Sequence, residues 1–313
     1  MRHVDVLSIG EALVDLISDT EQSSLIDSRT FTLYPGGAVT NVALNTSRLG
    51  GAAAIVARVG DDDFGVFLRR YLAAADVDTT YLHTTPRMPT TLIIATRHIA
   101  TPQFALYRGA DAQMLPEDMP LTLLQSTSLV HTSAFALSRE PTRSSILEFV
   151  SQAHVAGCLI SFDPNYEPRI WEMHANPLSV FEVICSRAFL AKPSLDDCIR
   201  IFGAGKSPEA YATYFLDLGV QQVVLTMGST GVLHANAEGY THYPMPEVEV
   251  VDVTGAGDCF WAGLLLATLD GYPLADAIRV AQEVVAIKLR QVGPLSSVVD
   301  RTALYVRLGL QKT

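Results

Sequence analysis

The chain has 313 residues, 49% of them hydrophobic, with 22 Lys plus Arg against 33 Asp plus Glu for a formal charge of −11. That length buries a sizeable core, and that charge argues against a surface built to collect nucleic acid phosphates, though not against a local anion site made of backbone amides. Cys158, Cys185, Cys198 and Cys259 are dispersed and form no C-x-x-C pair, which argues against a disulfide scaffold or a zinc ribbon. Along the chain, short apolar runs alternate with helical spacing, the rhythm of a parallel sheet crossed by helices. Val4–Ile9 reads as the first strand, ending at Gly10. A helix over 40–49, a strand over 52–59 and a helix over 64–75 follow. Next come a strand over 128–132, a helix over 142–156, strands over 158–163 and 187–191, helices over 194–202 and 208–218, and a strand over 223–226. Helices over 256–269 and 274–291 occupy the C-terminal third. No repeat or long linker interrupts this order, so residues 1–313 read as a single domain.

Four segments break the rhythm. Residues 13–18, 31–34, 90–96 and 103–108 look extended with no helix between the members of each pair, and the last two flank Ala100-Thr101-Pro102, a workable turn. They predict a small sheet outside the parallel core. It forms either a lid made of segments about 13–35 and 88–110 or a pair of edge hairpins. The N-terminus lacks the apolar run of a signal peptide, and the longest apolar stretch, near 261–269, is too short for a membrane span. A cytoplasmic location with no membrane partner is the expectation.

The segment most informative about chemistry is Asp252-Val253-Thr254-Gly255-Ala256-Gly257-Asp258, where an apolar run meets small residues and then a helix. Small residues at a helix start leave the first N–H groups bare, and the helix dipole makes that end attractive to phosphate. Asp258 would repel such an anion unless it has a chemical task. Deprotonating an alcohol that attacks a phosphoryl group is one; sitting in the first helical turn, where acids suit the dipole, is the other. Competing motifs fail on spacing. Gly203-Ala204-Gly205-Lys206-Ser207 ends like a P-loop, but Arg200 stands where its first glycine belongs, so it reads as a helix cap and turn. Phe260 stands where a dinucleotide fingerprint needs its third glycine, which disfavours a nicotinamide-dependent oxidoreductase.

These residues carry a resemblance. The Asp252 to Asp258 run looks like the C-terminal motif of the ribokinase-like carbohydrate kinases, the phosphofructokinase B family. Pro35-Gly36-Gly37-Ala38-Val39-Thr40-Asn41 with Arg48-Leu49-Gly50 resembles the N-terminal motif, and Gly60-Asp61-Asp62-Asp63-Phe64-Gly65 and Thr226-Met227-Gly228-Ser229-Thr230-Gly231 match in order. The resemblance implies a three-layer α/β/α core with a mostly parallel central sheet and a β-sheet lid. It also implies ATP and magnesium as cofactors, with a small-molecule sugar as partner. Asp258 would be the base, with Gly255, Ala256 and Gly257 as anion hole.

Gly36 and Gly37 can let backbone approach a sugar ring, or simply turn the chain. Asn41 and Asp15 would bind sugar hydroxyls, with helix capping and a solvated acid as their plainer roles. Thr226, Gly228 and Gly231 lie after a core strand and would contact the nucleotide. Ser194 and Asp197 stand where similar kinases carry Asn-x-x-Glu, which helps organise magnesium and phosphates; capping by Ser194 competes. Asp252, the carbonyl of Thr254, Gly293 and Ser297 fall where some relatives bind a monovalent cation, and oxygens without a thiol suit potassium.

For the acceptor, Arg108 after the lid resembles fructokinases and 2-keto-3-deoxygluconate kinases, with a surface salt bridge as the alternative. Asn165, in Phe162-Asp163-Pro164-Asn165-Tyr166-Glu167, would lie near the transfer site. Glu167 stands where many fructokinases carry Arg, with Arg169 two residues on. The reading is an ATP-dependent sugar kinase acting on a ketohexose such as fructose. Kinases of ketodeoxygluconate, ribose or nucleosides, and a non-catalytic sugar-binding regulator, are the alternatives. Ile93, Ile94, Phe104 and Leu106 would suit a homodimer through the lid, or cover the protein's own core.

Overall fold

In the computed structural model, residues 3–97, 103–291, 295 and 297–310 are described. The chain opens with β1 (Val4–Ile9), β2 (Leu13–Glu21), β3 (Phe31–Gly36), α1 (Ala38–Arg48), β4 (Ala53–Gly60), α2 (Asp63–Ala74) and β5 (Asp78–Thr85). Then come β6 (Leu92–Arg97), β7 (Phe104–Tyr107), β8 (Thr127–Ser133), α3 (Thr142–Val155), β9 (Leu159–Asp163), α4 (Pro177–Cys185) and β10 (Leu190–Ala191). The last third holds α5 (Leu195–Phe202), α6 (Pro208–Asp217), β11 (Gln222–Thr226), β12 (Val232–Asn236), β13 (Gly239–Tyr243), α7 (Ala256–Leu269), α8 (Leu274–Leu289) and α9 (Arg301–Arg307).

Among the described residues, the large sheet runs β13-β12-β11-β10-β9-β8-β1-β4-β5. Its strands are parallel except for the β11-β12-β13 meander at one edge. A parallel sheet needs cover on both faces, and the strands supply apolar residues to both. Leu7 and Ile9 of β1 join a core built with α3, α4 and α6. Val6, one residue away and therefore on the other face, packs with Trp261, Leu264 and Leu265 of α7 and Ile278 and Ala281 of α8. This is the expected three-layer architecture. The ends of strands β8, β9, β10 and β11 and the start of α7 meet on one rim, the usual ligand side of such sheets.

The four irregular segments form one separate sheet, β3-β2-β6-β7. Its register sets which side chains share a face. Asp15 lies opposite Tyr34 and Ile93, Ile93 opposite Leu106, and Ala95 opposite Phe104. Asp15, Ile93, Phe104 and Leu106 therefore share one face, and Asp15, Ile93 and Phe104 line cavities over the rim. Three of the four apolar residues considered for a dimer contact are thus on the cavity side, and Ile94 alone is on the other. The Ala100-Thr101-Pro102 turn lies outside the described residues.

Elsewhere the expected boundaries differ by small amounts. The 187–191 strand is only Leu190–Ala191, because Ser186 to Ala188 turn off the end of α4. Gly203-Ala204-Gly205-Lys206-Ser207 joins α5 to α6: Gly203 caps α5 at φ +82°, and Lys206 Nζ donates to the Phe202 carbonyl at 2.9 Å. It is a cap and turn.

Candidate active site

A cavity of about 410 Å³ opens at the rim under the small sheet, lined by residues from eight separate parts of the chain. From the lid side come Asp15 and Ile93, from the start of α1 Gly37 and Asn41, and from the strand ends Asp163, Asn165, Lys192 and Thr226. Opposite them stand Gly255, Ala256, Gly257 and Asp258 at the start of α7.

Gly255 caps α7 in the left-handed conformation at φ +71°, with no side-chain cap on the first turn. A glycine takes that conformation at little steric cost. The Ala256 amide turns back to the Val253 carbonyl at 3.1 Å, so Ala256 is the member of the expected anion hole whose N–H is already engaged. Behind it the helix presents the amides of Gly257 and Asp258 at its positive end. Asp258 Oδ2 accepts from Asn41 Nδ2 at 2.8 Å, which fixes the carboxylate across the cavity floor. Burial, with the Asp163 charge adding to it, pushes Asp258 up to about 7. Burial, with Asp258 adding to it, pushes Asp15 up to about 7 as well. A carboxyl poised there can hold or release a proton near neutral pH.

Lys192 is the buried cation among the described residues of this cavity, Arg200 being half-exposed at its edge, and sequence reasoning does not single Lys192 out. Its side chain is 6% exposed, and Nζ pairs with Asp163 Oδ2 at 3.0 Å. Nζ lies 5.9 Å from the centre of the Trp261 ring and 3.7 Å from where a Cβ on Gly257 would stand, beside the α7 N-terminus. Burial works against its charge, but Asp163, Asp258 and Asp197 outweigh it and the ammonium is held above its ordinary range. Behind Lys192 lies a fully buried, neutral pair, His131 and Trp261. Burial and then Lys192 push His131 down to about 3, and its Nδ1 accepts from Trp261 Nε1 at 3.2 Å.

The sequence reading assigns no role to Glu11 either. It is buried, Ser133 Oγ donates to it at 2.8 Å and the Val39 amide at 3.2 Å, and burial pushes it up to about 7. It ties β8 and the start of α1 to the loop after β1. Gly37, at φ +100°, has no room for a Cβ, which would lie 2.8 Å from the Glu11 Cγ and carbonyl oxygen. Gly36 does not line the cavity. It backs Asp15, and a Cβ there would come within 2.5 Å of the Asp15 Cγ.

Other expected site residues are placed differently. The Arg108 side chain is 5% exposed and does not line the cavity: Nε pairs with Asp111 Oδ2 at 2.7 Å, and Nη1 donates to Ser138 Oγ at 2.8 Å. The Asp three residues on, not a ligand, claims its charge. Ser194 and Asp197 do line the cavity, but as the two halves of a capping box. Ser194 Oγ donates to Asp197 Oδ2 at 2.6 Å, and Asp197 Oδ1 accepts from the Tyr166 amide at 2.7 Å. Asn165 lines the cavity with φ +27°, an uncommon backbone state for a residue with a side chain. Gly228 and Gly231 lie beyond Thr226 in the turn into β12, outside the cavity wall. Gly231 is required there because a Cβ would run into the Tyr243 carbonyl.

Among the described residues, no group of three or more His, Cys, Asp or Glu could hold a metal ion. Magnesium carried by a nucleotide would take most ligands from phosphates and water and need only one or two carboxylates, and Asp163 and Asp197 are in the cavity wall. A potassium site at Asp252 and Thr254 does not fit. Lys288 Nζ donates to the Asp252 carbonyl at 2.6 Å, and Asp252 Oδ1 accepts from the Thr254 amide and hydroxyl at 3.0 and 2.8 Å. Ser297 is exposed, and Gly293 lies outside the described residues.

Residues 4–301 match the family model described as pfkB family carbohydrate kinase, and the chain belongs to that family of enzymes. It is 34% identical over 308 residues to an ATP-dependent 6-phosphofructokinase of Thermoanaerobacterium thermosaccharolyticum, covering 98% of this chain and 95% of that protein. The fructokinase of Halothermothrix orenii superposes with a TM-score of 0.81 at 34% identity, over 93% of this chain and 100% of that one. Aminoimidazole riboside kinase of Salmonella enterica, solved with aminoimidazole riboside and an ATP analog, gives a TM-score of 0.83 at 29% identity over 97% and 99%. No helix among the described residues is long and apolar enough to cross a membrane.

Proposed function

We propose that the chain transfers the γ-phosphoryl group of ATP to a hydroxyl of a ketohexose, with fructose as the acceptor. The observation that carries this reading is Asp258, oriented by Asn41 at the open N-terminus of α7, with the Lys192 ammonium beside that terminus. Asp15, Asn41 and Asn165 would receive the acceptor's hydroxyls, which need acceptors and amides rather than cations. Asp258 removes the proton from the attacking hydroxyl, the oxygen bonds to the γ-phosphorus, and the β–γ bridging oxygen departs with ADP. The Gly257 and Asp258 amides and Lys192 meet the charge that develops on the phosphoryl oxygens. Asp163 and Asp197 would neighbour a magnesium ion carried by the nucleotide, which would supply charge neutralisation when bound.

A second acceptor is favoured by a specific feature. A second cavity of about 770 Å³, which shares Asp15, Ile93, Asn165 and Arg200 with the first, is lined by Arg97, Arg169 and Arg200, and the 34% identical relative is named a 6-phosphofructokinase. Of these cations, Arg169 is held by Glu167 at 2.7 Å and Arg200 lies 4.0 Å from Asp197. With two of the three arginines so paired, a neutral sugar comes first, and a phosphorylated one, which Arg97 would meet, comes second. ADP release with Mg-ATP across fructose, fructose 6-phosphate, ribose, ketodeoxygluconate and aminoimidazole riboside tests both. Highest kcat/KM on fructose is expected. A preference of about tenfold or more for the phosphorylated sugar would replace that acceptor, being more than 1 kcal/mol of differential binding. Silence on every acceptor with ATP still bound would overturn the kinase reading in favour of a sugar-binding regulator.

Asp15 has its own test. In Gly36→Ala the added methyl group must push the Asp15 carboxylate from its place. The acceptor KM is expected to rise about tenfold while the KM for ATP stays unchanged. An unchanged acceptor KM would remove Asp15 from the binding set.

A further inference from the structure

A fully buried lysine lies just behind the anion-binding loop, where nothing in the proposed chemistry uses it. Lys288 sits in the last turn of α8 with 0% of its side chain exposed. A lysine is almost never so buried without paired oxygens, because removing an ammonium from water is costly. Burial pushes it below its ordinary range, with Asp252 working against that. Its Nζ donates to the Asp252 carbonyl at 2.6 Å and lies 3.5 Å from Asp252 Oδ2. The same end of α8 holds the loop a second time: the amides of Val251 and Asp252 donate to the Leu289 carbonyl at 2.7 and 3.4 Å. Directly after Asp252, the Val253 to Ala256 turn brings Gly255 into its left-handed cap and opens the first amides of α7 to the cavity.

We propose that Lys288 is a built-in monovalent cation, its ammonium holding the Asp252 to Thr254 segment that presents the α7 anion site, so that phosphoryl transfer in this chain needs no potassium. The inference rests on the kinase reading for its effect on turnover, but not for its effect on ion binding. A free cation at this segment would need the Asp252 carbonyl that the ammonium already occupies, and would be repelled by a positive charge beside the same carboxylate. A tethered ammonium does the same task without loss of a bound ion. Lys288 touches no reacting atom; it is a positioning residue.

Two measurements on the native protein test this. Its thermal midpoint is expected to be the same in potassium chloride as in choline chloride of equal ionic strength, since a ligand that does not bind the folded state cannot stabilise it. Its kcat/KM with the acceptor found above is expected to be equal in the two salts. A higher midpoint in potassium, or potassium activation of about tenfold or more, would overturn the proposal whatever the acceptor proves to be. The midpoint needs no acceptor, so failure of the kinase reading and failure of this one are distinguishable. In Lys288→Met, kcat/KM in choline is expected to fall about 10- to 100-fold through misplacement of the loop, and to recover in part with potassium or ammonium but not with sodium. Full activity of that variant without added cation would also overturn it. If Lys288→Met does not fold, the two native measurements decide alone.

Discussion

Asp258→Asn is expected to fold, to bind ATP and acceptor with near-native affinity, and to lose about 100- to 10,000-fold in kcat, the usual size of a general-base effect. Asparagine keeps the shape and can still accept from Asn41, so the change removes the proton acceptor and leaves the floor of the cavity in place. A pH profile adds a second handle. Because burial pushes Asp258 up to about 7, the native kcat/KM should fall as pH drops through that value, when the base takes a proton before the substrate arrives. The residual activity of the variant should be flat across the same range. Stability should move the other way. A carboxyl lifted from 3.8 to about 7 on folding favours the folded state while protonated, and that contribution is lost as pH rises from about 4 to about 7. Asp258→Asn should therefore unfold at higher denaturant than the native protein at pH 8. The gain should be about 1–2 kcal/mol, reduced from the full linkage because the carboxylate is reached by solvent through the cavity, and it should vanish at pH 4. Retained turnover in the variant, or a native profile flat from pH 6 to 8, would remove Asp258 as the base.

Where the sequence was legible, two independent signals coincided. Val4–Ile9 carries four apolar residues in six and is closed by Gly10, and α7 opens at Gly255 and continues in a run of buried apolar residues; both elements lie where the pattern puts them. The lid was legible because its segments lacked helical spacing. β5 was missed because Thr79, Thr80, Thr84 and Thr85 give an edge strand little apolar signal, and α4 because its start, Asn176 followed by Pro177, reads equally as a turn. The β12-β13 hairpin was missed although Asn236 and Gly239 bound its turn. For the site, the glycine-rich ends of α1 and α7 drew attention to Asn41 and Asp258, and the fold brings those side chains into contact from 217 residues apart. Charge pairing was not legible. Arg108 and Lys192 are each a lone cation in the sequence, and only the tertiary structure decides that Asp111 takes the first out of the cavity while Asp163, on the neighbouring strand, holds the second inside it.

Lys192 is accordingly the residue whose loss should be felt in both stability and catalysis, and a double variant separates the two. Lys192→Met leaves Asp163, 2% exposed, without its ammonium and close to Asp258 and Asp197. Breaking a buried pair from one side costs about 3–5 kcal/mol, because the remaining charge is stranded in a poorly polarisable setting. Asp163→Asn added to Lys192→Met removes that stranded charge, so most of the loss should return, seen as a recovered denaturation midpoint. Catalysis should not return with it. The ammonium stands beside the α7 amides where phosphoryl charge would develop, and loss of one such donor costs about 100- to 1,000-fold in kcat. The double variant should thus be stable and slow. If it regains activity along with stability, Lys192 serves only to neutralise Asp163, and the charge on the transferring group is met by the helix terminus alone.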